Sequence, residues 1–152
     1  MRGLCNIAIW AAVFCASPIL AAESPVGKWD TIDEKTGKVT SEVELYEQDG
    51  KLFGKITSLP NPNDAQGKPL TLTAGKGADV GKPIVGLVII KNLTLKGDRY
   101  KHGTILDPND GKIYKAEVWV AGGKLKVRGY IGWLYRTQTW VRGPEKTEAA
   151  SN

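Results

Sequence analysis

Tight turns flanked by alternating apolar and polar residues are the feature that most constrains the fold of this chain. Asp49-Gly50 and Gly122-Gly123 both suit the positive backbone φ angles that a two-residue hairpin turn requires. Short runs rich in Val, Ile, Thr, Trp and Tyr flank such turns, and no run after Glu23 has a helical period. The pattern predicts eight strands: Gly27–Asp33, Val39–Gln48, Lys51–Leu59, Ile84–Leu95, Arg99–Asp107, Lys112–Ala121, Lys124–Ile131 and Leu134–Arg142.

One long segment interrupts this series of short connections. Residues 60–83 separate the third and fourth predicted strands and are rich in proline and glycine. Loops of this length in compact domains are usually functional or disordered. The other connections are short, so consecutive strands pair as antiparallel neighbours, and closing such a meander into a barrel removes its unpaired edges. We therefore predict an all-β fold, a single eight-stranded antiparallel meander closed into a barrel.

Two turns near the end of the chain predict the register of three strands. Two-residue turns at Gly122-Gly123 and Gly132-Trp133 place Val127 between Val118 and Gln138. A slip of one residue would turn charged side chains inward, so the apolar face must line the interior. The side chains predicted to point inward are Tyr114, Ala116, Val118, Val120, Leu125, Val127, Gly129, Ile131, Leu134, Arg136, Gln138 and Trp140.

Arg136 is the most unusual member of this inward face. A buried guanidinium is costly unless an anion or a set of acceptors meets it, and it binds carboxylate or phosphate through two parallel hydrogen bonds. Inward glycines at positions 54 and 129 would leave space for an apolar ligand body. In the alternative interpretation Arg136 stacks on a tryptophan or meets an acid in a filled core, since buried polar networks usually specify cores. The predicted ligand-binding residues are Arg136, Gln138, Tyr114 and Trp140.

The first residues have the order of a removable secretion signal. Arg2 supplies a positive charge, Ile7–Leu20 is mostly apolar, and the small residues Ala21-Ala22 follow. The apolar stretch is shorter than the roughly 20 residues that span a bilayer. We predict a signal peptide over residues 1–22, a barrel domain over 23–142 and a disordered tail over 143–152. After cleavage near Ala22 we expect a periplasmic or secreted protein with no integral membrane segment.

Composition argues against several kinds of site. Cys5 and Cys15 lie in the predicted signal, so the exported chain has no thiol for a disulfide, a nucleophile or a metal. His102 is the only histidine and is predicted to point outward, so we expect no metal and no cofactor.

Without Arg2, the 21 basic residues become 20 against 16 acidic ones. This excess is spread along the chain and does not indicate a nucleic-acid groove. With no nucleophile, metal set or carboxylate pair, we predict no enzyme activity.

Several phrases of the sequence resemble known families. Gly27-Lys28-Trp29 resembles the Gly-x-Trp opening of lipocalins. The lipocalin resemblance implies that Trp29 and Arg142 close the barrel, since lipocalins place an arginine beside this tryptophan. Five further phrases occur in order along the chain: Asp33-Glu34-Lys35-Thr36-Gly37-Lys38, Gly81-Lys82-Pro83-Ile84-Val85-Gly86-Leu87, Ile105-Leu106-Asp107-Pro108, Val127-Arg128-Gly129-Tyr130-Ile131-Gly132 and Arg136-Thr137-Gln138-Thr139-Trp140. They are similar to a bacterial family of small secreted proteins described as a domain of unknown function; the similarity extends over about Ser24 to Arg142 and implies a lipocalin-like barrel.

These features lead to two hypotheses for function. The first is a periplasmic or secreted carrier for a small, mostly apolar ligand with an anionic or polar head group. The alternative is an envelope interaction module whose barrel is filled by side chains and which docks through Trp119, Trp133 or the segment 60–83. A cavity that reaches Arg136 favours the carrier, and a solid interior with an apolar outer patch favours the module.

Overall fold

Eight antiparallel strands follow one another in the computed structural model, which describes residues 23–143. The strands are β1 (Gly27–Ile32), β2 (Val39–Gln48), β3 (Lys51–Ser58), β4 (Val88–Lys96), β5 (Arg99–Leu106), β6 (Ile113–Ala121), β7 (Lys124–Ile131) and β8 (Leu134–Arg142). Each strand pairs with the next and β1 pairs with β8, so the sheet closes into a barrel and the predicted all-β fold is confirmed. The predicted signal peptide and residues 144–152 of the predicted tail lie outside the described residues.

The hairpins have the registers that their turns predicted. Val127 lies opposite Val118 on one side and opposite Gln138 on the other. In the first hairpin, Leu45 lies opposite Gly54. Because each short turn fixes the offset between its two strands, the local sequence decides which side chains face the interior.

The fourth strand begins later than predicted. It starts at Val88 rather than Ile84, and the residues before it belong to the long connection after β3. Gly86 has a φ of 94°, which interrupts the extended conformation. Leu87 is nevertheless buried, with 4% of its surface exposed. The apolar run therefore packs against the barrel without extending the strand.

The connections lie at two opposite ends of the barrel. We call the end with connections 33–38, 59–87, 107–112 and 132–133 the mouth, and the end with turns 49–50, 97–98 and 122–123 the base.

Within residues 23–143 no helix has the length and hydropathy needed to cross a membrane. Buried side chains fill the barrel from the base to its middle: Trp29, Val43, Leu45, Leu52, Leu93, Val118, Leu125 and Trp140.

The long connection between β3 and β4 folds back over part of the mouth. Thr71 forms an isolated bridge with Pro83, and Leu72 joins the buried core with 2% of its surface exposed. Gly75 then meets Gly111 in the β5–β6 connection so closely that a Cβ atom on Gly75 would lie 2.3 Å from the Gly111 carbonyl oxygen. The connection therefore covers the mouth from β3 to the β5–β6 turn.

Candidate functional site

The inward wall of β6, β7 and β8 is open to solvent near the mouth. Ile131 and Leu134 pair across the last turn and are 59% and 53% exposed, although they lie on the inward face. Large apolar side chains exposed next to one another commonly mark a binding surface. We call this wall the mouth recess and define it by Tyr114, Gly129, Ile131, Leu134, Arg136 and Gln138.

The two inward glycines differ in the space that they leave. A Cβ atom at Gly54 would lie 2.7 Å from Leu45 Cδ2 and 3.1 Å from Ile90 Cβ, so neighbouring side chains already fill that position. The prediction that Gly54 opens space is therefore wrong. A Cβ atom at Gly129 would lie no closer than 3.8 Å to Tyr114 Cβ, which is an ordinary contact distance. Of the two inward glycines, only Gly129 therefore has room for an added methyl group.

Arg136 points toward the mouth recess but is not desolvated. It lies opposite Gly129, as predicted, and its side chain is 69% exposed. Its Nη2 atom donates to Glu34 Oε2 at 3.1 Å, which links β8 to the neighbouring β1–β2 connection. The expected buried guanidinium is therefore a solvated one with an acidic partner. The sequence did not identify that partner, because Glu34 meets Arg136 only when the barrel closes.

Tyr114 is held at the rim of the recess by an acid of the β5–β6 connection. Its hydroxyl donates to Asp110 Oδ2 at 2.9 Å, and this bond to the carboxylate raises the pKa of Tyr114. The pKa of Asp110 is lowered, chiefly because the Lys112 backbone N–H donates to it. Tyr114 therefore presents a protonated phenol whose hydroxyl oxygen is free to accept a further hydrogen bond.

Gln138 and Trp140 form the floor of the recess. The Trp140 indole Nε1 donates to Gln138 Oε1 at 3.1 Å, which orients the amide and leaves its NH₂ group available to a ligand. Trp140 itself is 2% exposed and belongs to the core. Trp140, predicted as a ligand-binding residue, is therefore a core residue that reaches the recess through its hydrogen bond to Gln138.

Trp29 and Arg142 close the base of the barrel. The Arg142 guanidinium carbon lies 4.0 Å from the centre of the Trp29 ring, and the two side chains stack. Arg142 also donates from Nη1 to the Val26 carbonyl and from Nη2 to the Ser24 carbonyl, both at 2.9 Å. The Trp29 indole donates to the Pro25 carbonyl at 2.7 Å. These contacts tie the segment before β1 across the base.

Removing the Arg142 charge should loosen this closure. We expect the Arg142→Met variant to lower the free energy of unfolding by about 1–2 kcal/mol, since it loses a cation–π contact and two charge-assisted hydrogen bonds at a partly exposed site. The matched control is Arg136→Met, which removes an exposed ion pair and should change stability by less than about 1 kcal/mol. Urea unfolding of both variants checks the difference, and equal midpoints would contradict the role given to Arg142.

A second concave region lies outside the barrel, between the outer face of β2–β4 and the long connection. This cleft has a volume of about 490 Å³. The Tyr46 and Phe53 rings stack at 5.8 Å on one side of it. Asp79 bonds Lys82 and Lys91, each at 2.8 Å, and these bonds lower the pKa of Asp79 to about 2. The sequence did not indicate this cleft, because its wall is a loop with no predictable conformation.

Comparison with known proteins places this fold in context. A family model described as "Uncharacterized protein conserved in bacteria (DUF2147)" matches residues 27–142. Among solved structures, the protein HP1028 from Helicobacter pylori, described as belonging to the lipocalin family, is 22% identical, with a TM-score of 0.64 over 79% of this chain and 83% of that one. No curated protein is significantly similar. The structural likeness shows a lipocalin-like barrel, and because the family match spans that barrel from β1 to β8, this chain belongs to the bacterial family DUF2147, as its phrases predicted.

Proposed function

We propose that this protein is a periplasmic or secreted carrier that holds one small amphipathic molecule in the mouth recess. The observation that carries the proposal is the pair Ile131 and Leu134, which is exposed on the inward face beside the Arg136 guanidinium. A ligand that covers these side chains removes apolar surface from water, at about 25 cal/mol for each Å². The lipocalin-like fold is consistent with ligand binding.

The proposed ligand has a short apolar body and an anionic head group. The body must be short because the barrel below the recess is filled by buried side chains such as Trp140 and Leu125. A carboxylate would replace Glu34 as the partner of Arg136, and the Gln138 amide would donate a second bond. The proposed role is binding rather than catalysis.

Octanoate and octanol form a matched pair of probes for this proposal. We expect octanoate to shift the backbone amide signal of Gly129, in the recess, and to leave that of Gly86, in the outer cleft, unchanged. In the Arg136→Met variant, octanoate affinity should fall about fivefold, which corresponds to about 1 kcal/mol for a solvated charge-assisted bond. Octanol affinity should not change. Isotope-edited NMR titration measures both, and shifts at Gly86 without shifts at Gly129 would place the ligand in the cleft and refute the recess.

An envelope interaction module is the second candidate. The filled lower half of the barrel and Trp133, which is 88% exposed at the β7–β8 turn, favour it. The two candidates differ in one measurement: the module binds neither octanoate nor octanol, so its Gly129 signal stays in place throughout both titrations.

A further inference from the structure

The outer face of β5, β6 and β7 gathers the positive charge of the molecule. These strands contain six basic residues and one acidic residue, Glu117. The chain without Arg2 has 20 basic residues against 16 acidic ones, so the net excess of the exported chain is concentrated on this face. The sequence had indicated an excess spread along the chain. The basic residues are Arg99, Lys101, Lys115, Lys124, Lys126 and Arg128.

Aromatic rings lie between these cations. The guanidinium carbon of Arg99 lies 4.1 Å from the centre of the Trp119 ring. Arg128 lies 5.1 Å from the same ring and 4.1 Å from the Tyr135 ring. Tyr135 in turn packs against Tyr130, with ring centres 6.1 Å apart. The alternation of cations and rings forms a continuous row across the face and holds the guanidinium groups along the sheet.

An exposed apolar tip continues this row at the mouth end. The tip lies at the β7–β8 turn, where Tyr130 pairs with Tyr135 and Ile131 pairs with Leu134. Single exposed apolar residues are ordinary on protein surfaces, whereas several in contact mark a surface that binds something. We call these residues the apolar tip: Ile113 at 62% exposure, Ile131 at 59%, Trp133 at 88%, Leu134 at 53% and Tyr135 at 59%.

We propose that the basic face and the apolar tip together dock on a lipid bilayer that carries anionic head groups. Trp133 and Tyr135 would sit at the head-group level, where aromatic side chains with a polar edge are favoured. The lysines and arginines of the basic face would be attracted to the anionic surface. The apolar tip shares Ile131 and Leu134 with the mouth recess, but the inference is tested separately from the carrier proposal, because vesicle binding does not require a ligand in the recess.

The charge distribution favours a bilayer over other partners. A second copy of the chain would bring two basic faces together in a two-fold dimer, and like charges there repel. A nucleic acid would satisfy the cations through its phosphates, but it would leave the apolar tip in water. An anionic bilayer offers phosphate groups for the cations and an apolar layer for Trp133 and Leu134 at the same time.

Vesicle flotation tests the proposal. We expect the exported chain to bind vesicles of phosphatidylcholine mixed with phosphatidylglycerol far more tightly than vesicles of phosphatidylcholine alone, and to bind less as salt is raised. Tryptophan emission should shift to shorter wavelength on binding and should not shift in the Trp133→Ser variant, because Trp133 is the tryptophan that enters the interface.

Matched variants distinguish docking through this surface from nonspecific adsorption to the vesicles. Leu134→Ser should weaken binding to the mixed vesicles about tenfold, whereas Leu95→Ser should have no effect, since Leu95 is equally exposed, at 55%, but lies at the base. The double variant Lys115→Gln/Arg128→Gln, which removes the cations nearest the apolar tip, should weaken binding at least tenfold, and the control Lys51→Gln/Lys68→Gln should not. Equal binding to both vesicle types, equal effects in either matched pair, or a dimer that Leu134→Ser dissociates without vesicles would overturn the proposal.

Discussion

The Val127→Asp variant is expected to lose several kcal/mol of stability, on the order of the cost of an unpaired buried charge after relaxation. Val127 is 3% exposed on the inward face of β7 and lies between Val118 and Gln138. Neither of these paired neighbours carries a positive charge, and the guanidinium of Arg136, further along the same face, already pairs with Glu34 at the mouth. Since domains of this size are stable by about 5–15 kcal/mol, the variant should be partly or wholly unfolded at room temperature.

Lys126→Asp is the control for this expectation, because Lys126 is the adjacent residue and points outward. Its Nζ donates to the Thr139 hydroxyl at 2.7 Å on the outer face, so the substitution removes one half-exposed hydrogen bond. We expect a loss of less than about 1 kcal/mol. Circular dichroism during urea unfolding compares the two variants, and equal unfolding midpoints would refute the inward orientation of Val127.

The second large effect is expected from a single added methyl group at Gly103. Two strands lie close together here: a Cβ atom on Gly103 would lie 2.3 Å from the Lys91 carbonyl oxygen and 2.7 Å from the Leu93 nitrogen. Both contacts are with backbone of β4, which cannot move aside as a flexible side chain can. We expect Gly103→Ala to cost about 2–3 kcal/mol, the upper range for overpacking that forces a backbone shift.

Gly129→Ala is the matched control, since Gly129 is also a strand glycine with a negative φ and borders the mouth recess. The added methyl would meet only Tyr114 Cβ at 3.8 Å and Ile105 Cγ2 at 3.9 Å. Restricting the unfolded chain then stabilises the variant by about 0.4–1 kcal/mol. Thermal unfolding of both variants tests the pair, and the expectation fails if Gly129→Ala is destabilised as much as Gly103→Ala.

The backbone beside Gly103 explains why that position is so tight. Asn92 and His102 both have positive φ values, 61° and 63°, on the two neighbouring strands. The regular pairing of β4 with β5 stops at Lys91 and Thr104 and resumes three residues further on each strand, at Thr94 opposite Lys101. These two conformations bend β4 and β5 toward each other, and only glycine leaves room for the approach.

Local sequence determined the hairpins and their inward faces. The turns at Asp49-Gly50 and Gly122-Gly123 act over a few residues, and the period of two in the flanking strands then assigns each side chain to one face. For this reason the inward positions of Val118, Val127 and Arg136 agree with the registers in the structure. The phrases along the chain also indicated the family correctly.

Tertiary structure alone decided how residues that are distant in sequence meet. Arg136 pairs with Glu34, 102 residues away, because closing the barrel brings β8 beside the β1–β2 connection. The run from Ile84 is predicted as strand, but its first residues belong to the long connection between β3 and β4. This connection covers the mouth as far as Gly111. No local signal predicts such contacts, since loop conformation depends on the surface against which the loop packs.

The distribution of charge likewise depends in part on the local sequence and in part on the tertiary structure. The sequence determined that basic residues exceed acidic ones, and the alternation in β5–β7 determined that they face outward. Only the order of strands around the closed barrel makes these cations neighbours and joins their face to the β7–β8 turn that carries the exposed Trp133. A one-dimensional pattern sets the side of the sheet on which a residue lies, whereas adjacency between strands depends on pairing across the whole fold.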